Sequence, residues 1–349
     1  MRRRLRVLLL AVLTLSGACT PVIAPAGPAV TAPKLAPDHI LATDGARLPL
    51  RSWLPPASTK PKAIVLALHG FNDYANFFDA AGTYLASRGV AAFAYDQRGF
   101  GGAPNRGLWP GTASLTSDLR DASRLLRRKY PGVPLYLLGE SMGGAVILVT
   151  MGGNAPADAD GIILAAPAVW GRASMPWYQS VALWMAAHAM PGSAVTGQGL
   201  GIRPSDNTEM LIALGRDPMV IKETRIDAVF GLVNLMDQAM AAAPHVEVPA
   251  LILYGERDQL VPPGAMAEML KSLPPFPADQ RRLAFYSDGF HMLLRDRQAE
   301  VVWADIVAWI GSRRAALPSG ADQRAMAACP GHGVCDLTPS AAGGGEGPG

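Results

Sequence analysis

The chain has 349 residues, half of them hydrophobic, which is long enough for one large α/β domain with an insertion or for two small domains. Its formal charge of +3 comes from the first few residues. Arg2, Arg3, Arg4 and Arg6 fall within 1–18 with no acidic residue beside them, so the remainder carries a formal charge of −1 and lacks the basic balance of a nucleic-acid-binding surface.

In chain order, Met1-Arg2-Arg3-Arg4-Leu5-Arg6 reads as a basic start, Val7 to Leu15 as an apolar stretch, and Ser16-Gly17-Ala18 as small residues suited to cleavage. Together they describe an export signal too short to span a bilayer stably. Cys19 follows directly and resembles the lipidated cysteine of a bacterial lipobox, which implies a lipid-anchored protein of the cell envelope facing the periplasm or exterior. A plain secretory signal is the alternative. Residues 19–37, dominated by Pro and Ala, read as a tether.

Apolar runs then alternate with helical stretches. Strands are expected at Ala63 to Leu68, Val90 to Tyr95, Leu135 to Leu138 and Gly161 to Ala165, with helices over Tyr74 to Arg88, Leu115 to Tyr130 and Ser141 to Met151. The alternation predicts βαβ units in a mostly parallel sheet flanked by helices, and strands buried on both faces explain the unbroken apolar runs.

Gly139-Glu140-Ser141-Met142-Gly143 sits between such a strand and such a helix. A serine at that turn is held in a strained backbone with its hydroxyl raised above the sheet, while glycines let strand and helix approach. Ser141 is therefore the candidate nucleophile. A serine hydroxyl needs a base, and the base an orienting acid. Pro249 to Tyr254 reads as a buried strand leading into a polar turn with Asp258, and Arg282 to Tyr286 as another leading into Ser287-Asp288-Gly289-Phe290-His291. Asp258 is the best acid and His291 the best base, in the order Ser, Asp, His that a nucleophile-elbow fold requires. Backbone N–H groups of Met142 and Phe71 are the candidate oxyanion donors.

With these pieces, together with Leu68-His69-Gly70-Phe71-Asn72, Tyr95-Asp96-Gln97-Arg98-Gly99-Phe100-Gly101 and Ala166-Pro167-Ala168-Val169-Trp170, the chain resembles the α/β-hydrolase superfamily over about residues 38 to 315. Within it, the similarity is to the branch of monoacylglycerol lipases, lysophospholipases and serine aminopeptidases (S33 type). The resemblance implies Ser141, Asp258 and His291 as nucleophile, acid and base, a helical cap over about residues 168–246, and no cofactor or metal. It also implies a structural role for Asp96, expected to bond the Arg98-Gly99 turn. His69 is expected to hold the oxyanion loop and Glu140 to support the elbow.

The expected activity is hydrolysis of lipid-like or acyl esters through an acyl-enzyme. An aminopeptidase or amidase on the same triad is the alternative, as is a non-catalytic envelope-binding protein. In the cap, Trp177, Trp184 and Met185 recur at helical spacing, and with Trp170 they are candidates for an acyl-binding surface. Beyond the domain, residues 316–349 are rich in Ala, Gly, Pro and Ser and read as a disordered tail. Cys329 and Cys335 within it are candidates for a local disulfide. Two thiols with His332 do not complete a tetrahedral metal site.

Overall fold

The computed structural model describes residues 20–197, 199, 201–275, 280–329 and 335; the expected export signal and Cys19 lie outside them. Three short strands come first, β1 (Lys34–Leu35), β2 (His39–Leu41) and β3 (Arg47–Trp53), then β4 (Ala63–Leu68), a 3-10 turn over Ala75–Phe78, α1 (Asp79–Ser87) and β5 (Val90–Tyr95). The central units follow as α2 (Thr112–Lys129), β6 (Leu135–Glu140), α3 (Met142–Met151) and β7 (Gly161–Ala165). An insertion then carries α4 (Trp177–Ala189), β8 (Ala194–Val195), α5 (Thr208–Arg216) and β9 (Thr224–Arg225), and α6 (Ile226–Ala242) leads back to the sheet. The chain closes with β10 (Ala250–Gly255), α7 (Pro263–Ser272), β11 (Arg281–Tyr286), α8 (Ala299–Gly311) and α9 (Ala321–Ala328).

The main sheet has nine strands in the order β1-β2-β3-β5-β4-β6-β7-β10-β11. Pairings among β1, β2, β3 and β5 are antiparallel, and those from β5 across to β11 are parallel. Alternation within β4 shows why its run is wholly apolar. Ile64, Leu66 and Leu68 join the core on one face, while Ala63, Val65 and Ala67 join the core on the other, as the period of two requires. Leu115, Leu119 and Ala122 of α2, Val146 of α3 and Leu235 of α6 fill the first core; Leu85 of α1 and Val302, Ile306 and Trp309 of α8 fill the second. All parallel strands thus end on one edge, where the loops carrying the candidate site converge.

Three expected boundaries need correction. The supposed tether does not hang free from residue 20. The Ala24 and Ala26 N–H groups donate to Trp109 O at 2.8 Å and Ser114 Oγ at 2.9 Å, and the Val22 N–H donates to Asp227 Oδ2 at 3.2 Å. A Pro-rich segment is already extended, so it can lie along the body while its few N–H groups find acceptors. The described residues after 315 are not a disordered tail. Leu317, Ala321 and Ala325 are buried, Arg282 of β11 donates to Asp322 at 2.7 Å, and Arg324 donates to Phe285 O at 3.0 Å. Small alanines let α9 lie close against the edge strand β11, which would otherwise present unpaired backbone groups. Cys329 and Cys335 are joined as a disulfide. Finally, the cap is shorter than 168–246. The apolar stripe of α6 faces the body, where Ala228, Leu235 and Ala239 are buried in the main core, so the cap proper ends near Arg225.

Candidate active site

At the end of β6 the chain turns at Ser141 with φ 53° and ψ −115°, a left-handed strain that a non-glycine residue adopts only where its surroundings enforce it. Three glycines make the turn possible. A Cβ on Gly139 would overlap the backbone of Gly143 and Gly144, one on Gly143 would overlap the carbonyl of Leu68, and one on Gly144 would meet Pro167 Cβ at 2.8 Å. The Ser141 N–H donates to Ala165 O at 3.0 Å, fixing the elbow to the next strand.

Asp258 follows β10 and His291 follows β11, neighbouring parallel strands on the same edge. His291 Nδ1 lies 2.8 Å from Asp258 Oδ2, with the two side chains 7% and 0% exposed. The other carboxylate oxygen accepts the N–H groups of Leu260 at 2.7 Å and Val261 at 3.0 Å, so the acid is fixed before it meets the ring. Burial pushes the imidazole down, but the charge and hydrogen bond of Asp258 prevail and hold it above its ordinary value. Asp288 turns away and pairs with Arg257 at 2.5 Å in solvent. The structure therefore joins the expected acid and base. Ser141 follows β6, two strands from β10 and three from β11 in the sheet order, on the same edge; its hydroxyl takes no hydrogen bond among the described residues.

Above the elbow lies the loop after β4. A Cβ on Gly70 would sit 3.4 Å from Ser141 Cβ and 3.9 Å from its Oγ, in ordinary contact with them, so the loop lies directly beside that hydroxyl. Among the described residues, neither the Phe71 nor the Met142 N–H donates to a protein acceptor. His69 holds the loop as expected. Its Nδ1 lies 2.8 Å from Gly70 O, which can only accept, and its Nε2 lies 2.9 Å from the Gln97 N–H, which can only donate. Both contacts require the neutral ring with the proton on Nδ1, and burial lowers its basicity accordingly. Asp96 is structural too, but its partners differ from the expected turn: it accepts from Ala75 N at 2.9 Å and Gly102 N at 2.8 Å, because Gly101 (φ 55°) folds the chain back over the carboxylate.

Arg295 of this site was not legible beforehand. The Arg295 side chain, 10% exposed, bridges Asp73 of the oxyanion loop at 2.7 Å and Glu140 of the elbow at 2.8 Å. It ties three loops at one point. Burial works against both groups of the elbow pair: it lifts the Glu140 carboxyl above the usual range, while the two carboxylates keep Arg295 charged. No sequence spacing signals a bridge whose ends lie 155 residues apart.

The cap residues named as candidates for an acyl-binding surface are largely exposed. Trp177 is 77% exposed, Trp184 55% and Met185 54%, so the stripe on α4 looks outward rather than forming a buried wall. Of this helix only Ala187 is fully buried. Trp170 is half-buried.

A parallel sheet, a strained serine between strand and helix, and a downstream acid–histidine pair define an α/β-hydrolase. The family model described as "Serine aminopeptidase, S33" matches residues 59–298, and the chain belongs to that family. Human monoglyceride lipase is 26% identical over 292 residues, spanning 79% of this chain and 91% of that protein. The monoacylglycerol lipase of Mycolicibacterium smegmatis is 24% identical over 276 residues, spanning 77% and 94%. A solved structure of a soluble variant of monoglyceride lipase from Saccharomyces cerevisiae, in complex with a substrate analog, shares the fold with a TM-score of 0.62 at 20% identity, covering 83% of this chain and 98% of that one. The chain is thus a serine ester hydrolase by class, in the branch that it resembled from its motifs.

Proposed function

We propose that this serine ester hydrolase cleaves monoacylglycerol-like or lysophospholipid-like esters through an acyl-enzyme on Ser141. The observation that carries the reading is the buried 2.8 Å contact between His291 Nδ1 and Asp258 Oδ2 on the strand edge that also bears the strained Ser141. With Nδ1–H given to Asp258, the free Nε2 is the base. Ser141 Oγ bonds to the ester carbonyl carbon as its proton moves to Nε2, and the carbonyl oxygen takes the negative charge toward the Phe71 and Met142 N–H groups. The carbon–oxygen bond to the alcohol then breaks, and Nε2 returns the proton to the departing oxygen. Water repeats the sequence on the acyl-enzyme and releases the acid.

Support for an ester over an aminoacyl substrate comes from carboxylates whose bonds are already taken. A cavity of about 310 Å³ beside Arg295 is lined by Asp73, Asp79, Asp217 and Asp296, which could in principle hold a free amine. Each is already engaged: Asp73 by Arg295, Asp79 by the Trp53 indole N–H, Asp217 by the Tyr74 hydroxyl, and Asp296 by Ser205 and the Phe290 N–H. The relatives named above as monoglyceride lipases support the lipid-like alcohol. Export and anchoring through Cys19 complete the reading: the arm at Val22 meets Asp227, just after the cap, which carries the exposed Trp177, Tyr178, Trp184 and Met185. Apolar and aromatic side chains of this kind suit a lipid surface.

The test is a series of p-nitrophenyl and monoacylglycerol esters of increasing acyl length, assayed beside aminoacyl-nitroanilides. Ester turnover without anilide turnover is expected, and turnover of anilides alone would overturn the proposal. The mass of the mature N-terminus tests the lipid anchor.

A further inference from the structure

The oxyanion loop is held from two sides. On the body side, the Phe71 ring meets those of Phe100 and Trp109 at 5.6 and 6.4 Å between centroids, and His69 is fixed to Gln97. On the other side, the loop is bonded to the cap. Asn72 Nδ2 donates to Thr224 Oγ1 at 2.6 Å, the Ile221 N–H donates to Asn72 O at 3.0 Å, and the Tyr74 hydroxyl donates to Asp217 Oδ2 at 2.7 Å. Asn72 holds φ at 66°, a conformation that asparagine tolerates better than most residues. Its partner Thr224 is buried and belongs to β9, which pairs with β8 after α4. The outer cap helix is therefore linked along the chain to β8, across its pairing with β9, and through Thr224 to the residue that follows the proposed donor Phe71.

We propose that Thr224, acting through Asn72, is a positioning residue that sets the Phe71 N–H for the oxyanion, so that the seating of the cap on the body governs turnover. This rests on the reading of Phe71 as an oxyanion donor. A hydrogen-bond donor acts on the developing charge only within about 2.7–3.1 Å, and a displacement of about 1 Å made far from the chemistry can cost on the order of 10²-fold in rate. Thr224 touches neither Ser141 nor the ester in this scheme. Its effect falls on kcat rather than on substrate affinity.

Thr224→Val keeps the shape of the side chain and removes the acceptor. Its kcat for a medium-chain p-nitrophenyl ester should fall about tenfold, between no effect and the loss of a whole donor, with KM and Tm little changed. The rate of Ser141 phosphonylation by a fluorophosphonate should fall in parallel. Thr224→Ser should restore most of both rates. Asn72→Gly, which keeps the backbone conformation accessible, should show the same loss, and combining it with Thr224→Val should add nothing further. Unchanged kcat in Thr224→Val, or a loss that tracks only the fraction of folded protein, would overturn the proposal. Ser141→Ala measured alongside separates the two readings. Full ester turnover there removes the serine mechanism itself, whereas a Ser141→Ala reduced to residual turnover with a fully active Thr224→Val removes the cap coupling alone.

Discussion

Replacing Asp258 by Asn tests the acid–histidine pair with minimal disturbance of its surroundings. Oδ1 of Asp258 accepts from the Leu260 and Val261 N–H groups while Oδ2 meets His291 Nδ1. An asparagine whose amide oxygen keeps those two backbone donors must turn its NH₂ toward Nδ1, so Nδ1 becomes the acceptor and the imidazole proton moves to Nε2. The nitrogen that should receive the serine proton is then already protonated. A comparable wrong-tautomer substitution in a serine protease lowers kcat by about 10⁴, or about 5.5 kcal/mol in the barrier at about 1.4 kcal/mol per decade, and a similar loss is expected here. Because both backbone bonds survive, Tm should shift little. The pH profile gives a second check. Asp258 holds the His291 imidazole above its ordinary value, so wild-type kcat/KM should rise with pH as the ring loses its proton, with a midpoint above about 6.5. Without the carboxylate, burial dominates and residual activity should titrate at lower pH. Steady-state kinetics from pH 5 to 9 with circular dichroism would decide; activity within tenfold of wild type, or an unmoved acid limb, would refute the reasoning.

Gly143→Ala should cost stability more than catalysis, since its Cβ would overlap the Leu68 carbonyl, and overpacking of this kind typically costs about 1–3 kcal/mol; denaturant unfolding checks it. Arg98 is buried between Asp44 at 2.7 Å and Asp118 at 2.6 Å, so Arg98→Met should destabilise by about 3–5 kcal/mol by leaving buried carboxylates unpaired. Arg98 also depresses Asp44 to about 2; the stability contributed by Asp44 should be complete above its unfolded value near 3.8 and be lost as pH falls through about 2, which acid titration of the wild type and Asp44→Asn would show. Truncation after Gly311 removes the Arg282–Asp322 contact and the buried Leu317, Ala321 and Ala325, and should lower Tm and expose β11 to aggregation, read by light scattering on heating.

The parallel core was legible because its signals are local. Ala63 to Leu68, Val90 to Tyr95 and Gly161 to Ala165 are expected and observed with the same bounds, since burial on both faces leaves continuous apolar runs. The Asp258 and His291 turns were legible because each follows such a run. By contrast β3 alternates buried and exposed residues over a short span and carries no comparable signal. The alanine-rich α9 was hidden by a composition that elsewhere means disorder. Arg295, Asn72 and Thr224 matter through bonds between residues 152 or more positions apart, or through a bridge between loops, and such pairings exist only after the chain has folded. The aromatic stripe on α4 was visible as a helical period, but periodicity does not distinguish an inward face from an outward one, and Trp177 and Trp184 are exposed.

Covalent trapping addresses the catalytic proposal most directly. A fluorophosphonate added to the active chain should leave its phosphonyl group on Ser141, located by peptide mass spectrometry, with loss of ester turnover in proportion to labelling and much slower labelling in His291→Ala. Full ester turnover by Ser141→Ala, or complete inhibition with the label on another residue, would contradict the account.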